Sequence, residues 1–182
     1  PEMDARLDDM ASRLDEVMAD PGIDEVLVVG YSVGSMLAVS TVARRAVAFP
    51  VDAGPKLSLL TLGHCIPLLG LMPKASAFRA ELASVADAPE VQWVDVSSPT
   101  DWGSFALSDP VQLCLQRQGV NPRAMVSPRF HQLFDRERYL LLRRDKRRIH
   151  LQYIMSGEKP GDYDFFDLTA GPRHLGERMW TK

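Results

Sequence analysis

Apolar residues near the start of the chain recur at helical spacing. They fall three or four positions apart, at Met3, Leu7, Met10, Leu14 and Val17. Charged residues fill most of the positions between them, so the pattern predicts a surface helix over 3–19 with one buried stripe. The turn residues Asp20, Pro21 and Gly22 follow and predict its end.

Three later segments are largely apolar and predict strands. They are 24–29 (DEVLVV), 56–63 (KLSLLTLG) and 91–98 (VQWVDVSS). Apolar runs without a polar face are typical of parallel strands that are buried on both sides. Helical patterns over 32–48 and 75–86 separate them, and this alternation predicts an α/β fold, a parallel sheet with flanking helices.

The regular alternation weakens beyond residue 103. The sequence there predicts a helix over 136–144, a short apolar segment over 149–155, and a turn-rich aromatic tail with a short final helix. The chain contains 182 residues, of which 46% are hydrophobic and 25% charged. These values predict one globular domain over 1–182.

The formal net charge of -3 indicates no general attraction to nucleic acid or to an anionic membrane surface. One basic run, Arg143 to Arg148, is an exception in sequence, but Asp135, Glu137 and Asp145 interleave with its surroundings. This mixture predicts a solvated face and not a site for a polyanion.

The longest apolar stretch, 57–72, is broken by glycine, histidine and proline and is short for a membrane span. With no visible signal peptide, the sequence predicts a soluble cytoplasmic protein. Cys65 and Cys114 lie far apart and look like small core residues. They indicate neither a zinc site nor a redox pair, so no metal and no cofactor is expected.

The first strand is followed by Gly30, Tyr31, Ser32, Val33 and Gly34, and small residues continue into the next helix. A Gly-x-Ser-x-Gly turn between strand and helix exposes the serine hydroxyl and is typical of a nucleophile elbow. We therefore expect Ser32 to be a nucleophile and the Val33 N–H to contribute to an oxyanion hole. The two flanking glycines are expected to let strand and helix approach closely.

A serine nucleophile needs a base, and the base needs a carboxylate that orients it. Active sites of open parallel sheets lie at the carboxyl ends of the strands, and Asp101 follows the third strand by a short loop. We therefore predict Asp101 as the acid. Asp95 lies inside that strand, and Asp109, which precedes a proline, is interpreted as a turn residue.

The base is one of three histidines that follow Asp101: His131, His150 or His174. His64 precedes Asp101, which would break the chain order of nucleophile, acid and base that accompanies this kind of elbow. The residues by themselves leave these three alternatives open.

The segment VLVVGYSVGSMLA resembles the nucleophile elbow of the α/β-hydrolase superfamily, and the order Ser32, Asp101, histidine is similar to the order found there. The segments LLTLGHCIPLL, VQWVDVSSPTDWGSFALSDPV and IHLQYIMSGEKPGDYDFFDLTAGP further resemble an uncharacterised bacterial group of hydrolase-like proteins. Tyr153 follows His150 by three positions, which is similar to serine lipases and esterases. This resemblance favours His150 as the base, with His131 as the alternative.

The resemblance implies a serine hydrolase that cleaves a small-molecule carboxylic ester or thioester through a Ser-His-Asp triad. Two alternatives stay open: an acyltransferase with the same triad, and a non-catalytic hydrolase-like interaction module. The apolar segment around Ile66 to Met72 is expected to pack in the core or to line an acyl pocket.

One departure from the superfamily concerns the amino-terminal strands. Domains of that superfamily have several strands before the elbow, and the loop after one of them supplies the second oxyanion-hole N–H. Only about 25 residues precede the first strand here. We therefore expect either a piece of a longer protein or a fold truncated at the amino terminus, whose oxyanion hole is completed in another way. A sheet without those strands is expected to expose an apolar edge, which favours a partner chain, as in an oligomer, or poor solubility.

Overall fold

The protein is an α/β structure with one parallel sheet. The computed structural model describes residues 2–46, 56–121 and 123–179. The strands are β1 (Glu25–Tyr31), β2 (Lys56–Leu62), β3 (Val91–Val96) and β4 (Ala124–Val126). All neighbouring strands are parallel and their order is β1-β2-β3-β4. The predicted fold class is thus confirmed at the level of a parallel sheet with flanking helices.

Helices surround this sheet. They are α1 (Glu2–Met18), α2 (Gly34–Ala46), α3 (Ile66–Gly70), α4 (Ser76–Asp87), α5 (Pro110–Leu115), α6 (Arg136–Leu142), α7 (Lys146–Leu151), α8 (Phe165–Ala170) and α9 (Leu175–Met179). Short 3₁₀ turns lie at Phe130–Gln132 and Gln152–Ile154. Across the described ranges, no helix has the length and apolar character needed to cross a membrane.

Two hydrophobic cores lie on opposite faces of the sheet. Neighbouring residues of β2 point in opposite directions, so Leu57 and Leu59 belong to one core while Leu60 and Leu62 belong to the other. Helices α1, α2 and α4 contribute to the first core, whereas α6, α7 and the carboxyl-terminal helices contribute to the second. Burial on both faces explains why these strands carry apolar runs.

The predicted helices and strands agree with the structure except at several boundaries and in short elements. β1 extends through Tyr31, so the first two residues of the elbow belong to the strand, and α2 begins at Gly34. Positions 47 and 48 of the predicted second helix lie outside the described residues. Within the apolar segment 149–155, residues 149–154 are helical, first in α7 and then in a 3₁₀ turn. The sequence did not predict α3, α5, α8 or β4.

β1 forms an edge of the sheet within the described ranges. Val29 near the end of this strand is 39% exposed, and Val26, Leu27 and Val28 are only half-buried. The expected apolar edge is therefore present in the structure.

Candidate active site

Ser32 occupies a strained turn between β1 and α2. Its φ angle is 54°, in the left-handed region that residues other than glycine rarely adopt. The Ser32 N–H donates a hydrogen bond of 2.9 Å to the Leu62 carbonyl at the end of β2. This bond ties the strained turn to the neighbouring strand and places the serine at the carboxyl edge of the sheet.

The two glycines of the elbow have different roles. A Cβ atom added at Gly30 would lie 2.7 Å from Ser35 Cα and 2.8 Å from Ala38 Cβ, so strand and helix meet closely there. A Cβ atom at Gly34 would have no neighbouring atom within 4 Å. The expectation of close approach is confirmed for Gly30 and is wrong for Gly34, which lies in the first turn of α2 with open space around it.

We predict that Gly30→Ala lowers the free energy of unfolding by about 1 to 3 kcal/mol, because the methyl group would displace the α2 backbone. Gly34→Ala is the matched control and should change the free energy of unfolding by less than about 1 kcal/mol. Urea denaturation of both variants measures this difference. Equal losses of unfolding free energy in the two variants would contradict the close contact between Gly30 and α2.

The structure brings together three of the predicted residues. His150 Nε2 lies 2.9 Å from Ser32 Oγ, and His150 Nδ1 lies 2.9 Å from Asp101 Oδ2. An ionised carboxylate can only accept, so the Nδ1–H donates to Asp101 and Nε2 is free to accept the Ser32 proton. These contacts form one continuous hydrogen-bonded path from Ser32 through His150 to Asp101, the geometry of a catalytic triad.

Asp101 is held in a buried loop after β3. Its side chain is fully buried, and Oδ1 accepts a hydrogen bond of 3.0 Å from the Gly103 N–H. Its own N–H donates to the Ser98 carbonyl at 2.9 Å. The carboxylate therefore has one oxygen fixed by the backbone and the other directed at His150.

Two tyrosines hold the base and the acid loop in place. The Tyr31 hydroxyl donates to the His150 carbonyl at 3.0 Å, and the Tyr31 ring lies 5.1 Å from the imidazole centroid. The Tyr153 hydroxyl accepts a hydrogen bond of 2.8 Å from the Ser98 N–H, three residues before Asp101. Tyr153 thus links the helical segment that carries His150 to the loop that carries Asp101.

Burial raises the pKa of both phenols. The pKa of Tyr31 is raised to about 12 by burial and then by the nearby charge of Asp101. The pKa of Tyr153 is raised further by the same two causes in the same order. Both side chains stay neutral at physiological pH, so they act as positioning residues and not as proton acceptors.

Gly63 makes room for this arrangement. Its φ is +52°, and a Cβ atom there would lie 2.6 Å from Tyr153 Cε2 and 3.2 Å from Asp101 Oδ2. Sequence reasoning did not identify this residue as part of the site. A glycine directly after an apolar strand was the signal that could have found it.

The other histidines lie elsewhere. His131 is exposed on a 3₁₀ turn and packs edge-on against Tyr139. His174 Nδ1 lies 3.0 Å from Lys56 Nζ. Lys56 begins β2, so His174 lies near the amino ends of the strands, whereas Ser32 lies at their carboxyl ends. His64 is fully buried, and its Nε2 lies 3.1 Å from the Ser108 carbonyl. His150 alone of the four histidines contacts Ser32.

The two other aspartates near β3 are bound by groups that do not belong to the Ser32–His150–Asp101 path. Asp95 is 1% exposed and accepts hydrogen bonds from Thr61 and Ser97, and its burial raises its pKa. Asp109 caps the start of α5 and forms an ion pair with Arg123 at 2.7 Å. Asp109 is therefore a helix N-cap, where the sequence predicted a turn residue.

The backbone next to Ser32 is suited to bind an anion. Val33 precedes α2 directly and its side chain is largely exposed. The first N–H groups of a helix lack intrahelical acceptors and carry the positive end of the helix dipole. The Ser35 hydroxyl donates to the Ser32 carbonyl at 2.5 Å and accepts from the Cys65 N–H at 3.1 Å. Ser35 therefore fixes the orientation of the turn.

Cys65 lies beside Ser32, and the sequence did not reveal this proximity. Its Sγ is 3.9 Å from Ser32 Oγ and 3.3 Å from the Gly103 carbonyl. Burial raises the pKa of this thiol, and the nearby Asp101 charge also raises it. The thiol is therefore protonated at neutral pH and is a poor nucleophile.

We predict that iodoacetamide modifies Cys65 at least about tenfold more slowly than it modifies glutathione at pH 8, because little thiolate is present and the side chain is buried. The rate should rise only as the pH passes above the ordinary thiol range. Mass spectrometry of the Cys65 peptide measures it, with glutathione in the same reaction as the control. Fast modification at pH 7 would show that the thiol is activated.

Among the residues that the structure describes, no group of three or more histidine, cysteine, aspartate or glutamate side chains could hold a metal ion.

A scan against models of known protein families finds no match for this chain. Searches of curated proteins and of solved structures also find no significant match.

Proposed function

We propose that this protein is a serine hydrolase of the α/β-hydrolase type that cleaves a carboxylic ester or thioester. The proposal depends chiefly on one observation, the path from Ser32 Oγ through His150 to Asp101 with both hydrogen bonds at 2.9 Å. Nucleophile, base and orienting acid within hydrogen-bond reach are the arrangement that acyl transfer to serine requires.

In the proposed reaction, Ser32 Oγ attacks the substrate carbonyl carbon while His150 Nε2 takes the hydroxyl proton. The Val33 N–H donates to the developing oxyanion. His150 then gives its proton to the leaving oxygen or sulfur as the bond from the acyl carbon to that atom breaks. Water attacks the acyl-enzyme, His150 takes a proton from it, and the carboxylic acid leaves as Ser32 regains its proton.

Asp101 supports each transfer without taking the proton itself. Its carboxylate stabilises the imidazolium that forms and holds His150 in the tautomer with Nδ1 protonated. Because Asp101 is fully buried and accepts a second hydrogen bond from Gly103, its position changes little as the charge on His150 changes.

Three features support the assignment to the α/β-hydrolase type. Ser32 has a positive φ directly after a parallel strand, and a helix follows it. The members of the triad follow the chain order Ser32, Asp101, His150. The site lies at the carboxyl ends of the strands, where ligands of open parallel sheets bind.

The surroundings of α3 support an apolar acyl group. This helix begins directly after Cys65, which contacts Ser32, so it starts beside the nucleophile. Ile66 and Pro67 are buried in the core, while Leu68, Leu71 and Met72 are each more than half exposed. We propose that these three exposed side chains contact the acyl chain of the substrate.

Chromogenic butyryl esters and thioesters test the proposed function. We expect release of the chromophore by the purified chain, together with an acyl adduct on Ser32 detected by mass spectrometry at early times. Ser32→Ala should lose both signals, while Ser12→Ala, at an exposed position of α1, should keep them. Acyl transfer to an added alcohol would indicate the transferase alternative. A folded protein whose turnover equals that of Ser32→Ala would overturn the proposal.

A further inference from the structure

A cluster of exposed cations lies next to the proposed active site. Its members, here called the basic run, are Arg143, Arg144, Lys146, Arg147 and Arg148. Within the described part of the chain, none of these side chains forms an ion pair with a carboxylate. The chain as a whole has a net charge of -3, so this surface differs from the rest of the protein.

Within the described residues, no acidic residue near the basic run forms an ion pair with its cationic side chains. Asp135 pairs with Lys159, and Asp145 accepts hydrogen bonds from the backbone N–H groups of Arg147 and Arg148 at the start of α7. Glu137 lies in the first turn of α6, at the other end of that helix from the basic run. The structure therefore leaves the basic run on a solvated face, as the sequence predicts, and its cations have no carboxylate partner among the described residues.

The basic run is placed relative to His150 by α7. Lys146 and Arg147 precede His150 by four and three residues, and residues at these spacings lie on one side of a helix. Lys146 Nζ also lies 5.2 Å from the centroid of the Trp102 ring, and Trp102 directly follows Asp101. The Trp102 side chain is 69% exposed, so it offers a flat surface beside these cations.

The proposed mechanism determines which part of a substrate lies near the basic run and Trp102. His150 Nε2 donates its proton to the leaving oxygen or sulfur, so the leaving group lies on the His150 side of Ser32. We propose that the site takes acyl esters or thioesters whose leaving group carries phosphate, and that Lys146 and Arg147 bind this phosphate. This inference depends on the proposed function. It adds no reaction step, because the bond from the acyl carbon to the leaving atom still breaks and water is still the only co-reactant.

Phosphate fits this surface better than a single carboxylate does. A phosphate monoester carries up to two negative charges and several acceptor oxygens. Arginine binds such groups through its planar fork, and lysine binds them as a compact charge. Several unpaired cations next to one another match that charge, while the exposed Trp102 ring can contact the organic part of the leaving group.

Two matched substrate pairs test the proposal and distinguish the source of the phosphate. The soluble pair is the butyryl thioester of 4′-phosphopantetheine and that of pantetheine. The lipid pair is phosphatidylglycerol vesicles and an uncharged diglyceride emulsion with the same acyl chains. We expect kcat/KM to favour the phosphorylated member of at least one pair by about tenfold or more, and less at high ionic strength. The pair that shows the preference identifies the source.

Charge-reversal variants connect the preference to the basic run. Lys146→Glu combined with Arg147→Glu should reduce the preference for the phosphorylated member at least about tenfold. Arg6→Glu combined with Arg13→Glu changes the net charge equally on the exposed face of α1 and should leave the preference unchanged. Lys146→Gln combined with Arg147→Gln replaces the charge reversal if that protein does not fold, and a smaller loss of the phosphate preference is then expected.

The outcomes separate this inference from the proposed function. Hydrolysis of the uncharged substrates without preference in either pair would overturn the phosphate site and leave the hydrolase intact. A preference that persists in the charge-reversal variant would also overturn it. Absence of all hydrolysis, with Ser32 unreactive in a folded protein, would overturn the proposed function and this inference with it.

Discussion

Replacing His150 with alanine is expected to lower kcat for ester hydrolysis by about 10⁴-fold or more, because Ser32 then has no base within reach. His150 Nε2 is 2.9 Å from Ser32 Oγ, and no other histidine contacts that hydroxyl. Steady-state kinetics on a chromogenic butyryl ester measures the loss, and circular dichroism confirms that the variant is folded.

His131→Ala is the matched control, because His131 is exposed and contacts Tyr139 instead of the triad. Its kcat should stay within about twofold of the wild-type value, as is usual for a surface substitution away from a site. Loss of activity in His131→Ala with retention in His150→Ala would assign the base to His131. It would also contradict the geometry described above.

Asp101→Asn is expected to lower kcat by about 10³- to 10⁴-fold while the fold is retained. The asparagine side chain keeps the size of aspartate but cannot stabilise the imidazolium, and its amide N–H can favour the wrong tautomer of His150. Asp101 is fully buried, so water cannot take over either role. The same chromogenic assay, compared with the urea denaturation midpoint, separates loss of catalysis from loss of stability.

Asp109→Asn provides the control for this substitution. Asparagine still caps α5 but weakens the ion pair with Arg123, so stability should fall slightly and kcat should not change. A similar loss of kcat in Asp101→Asn and Asp109→Asn would show that Asp101 acts through the fold and not through His150.

The strands and the elbow could be predicted because their sequence signals are local. A parallel strand with a hydrophobic core on each face favours apolar residues along most of its length, and β1 to β3 each carry such a run. The turn after β1 needs small flanking residues, and Gly30 meets this need through its contact with Ser35. Asp101 could be predicted because it lies in the short loop after β3, so the end of the strand places it at the carboxyl ends of the strands.

The histidine could not be chosen from local patterns. His131, His150 and His174 all follow Asp101, and only the packing of α7 against the sheet brings one of them to Ser32. The spacing of Tyr153 after His150 favoured that residue by resemblance. Its physical reason became visible only in the structure, where the Tyr153 hydroxyl binds the backbone of the acid loop.

The short elements escaped prediction for a related reason. β4 has three residues and α3 has five, which is too short for a periodic pattern to be distinguished from a loop. The sequence predicts Cys65 as a core residue, and it is buried, but no sequence signal indicates that the chain after β2 turns back toward Ser32. The pairing of β1 with β2 creates that proximity.

Fluorophosphonate labelling of Ser32 tests the central claim most directly, because these probes react with serines that an adjacent base activates. We expect one label per chain, located on the Ser32 peptide by mass spectrometry. The label should be absent in Ser32→Ala, strongly reduced in His150→Ala and retained in His131→Ala. Absence of labelling in the folded wild-type protein, or a label that persists in Ser32→Ala, would contradict the account of this triad.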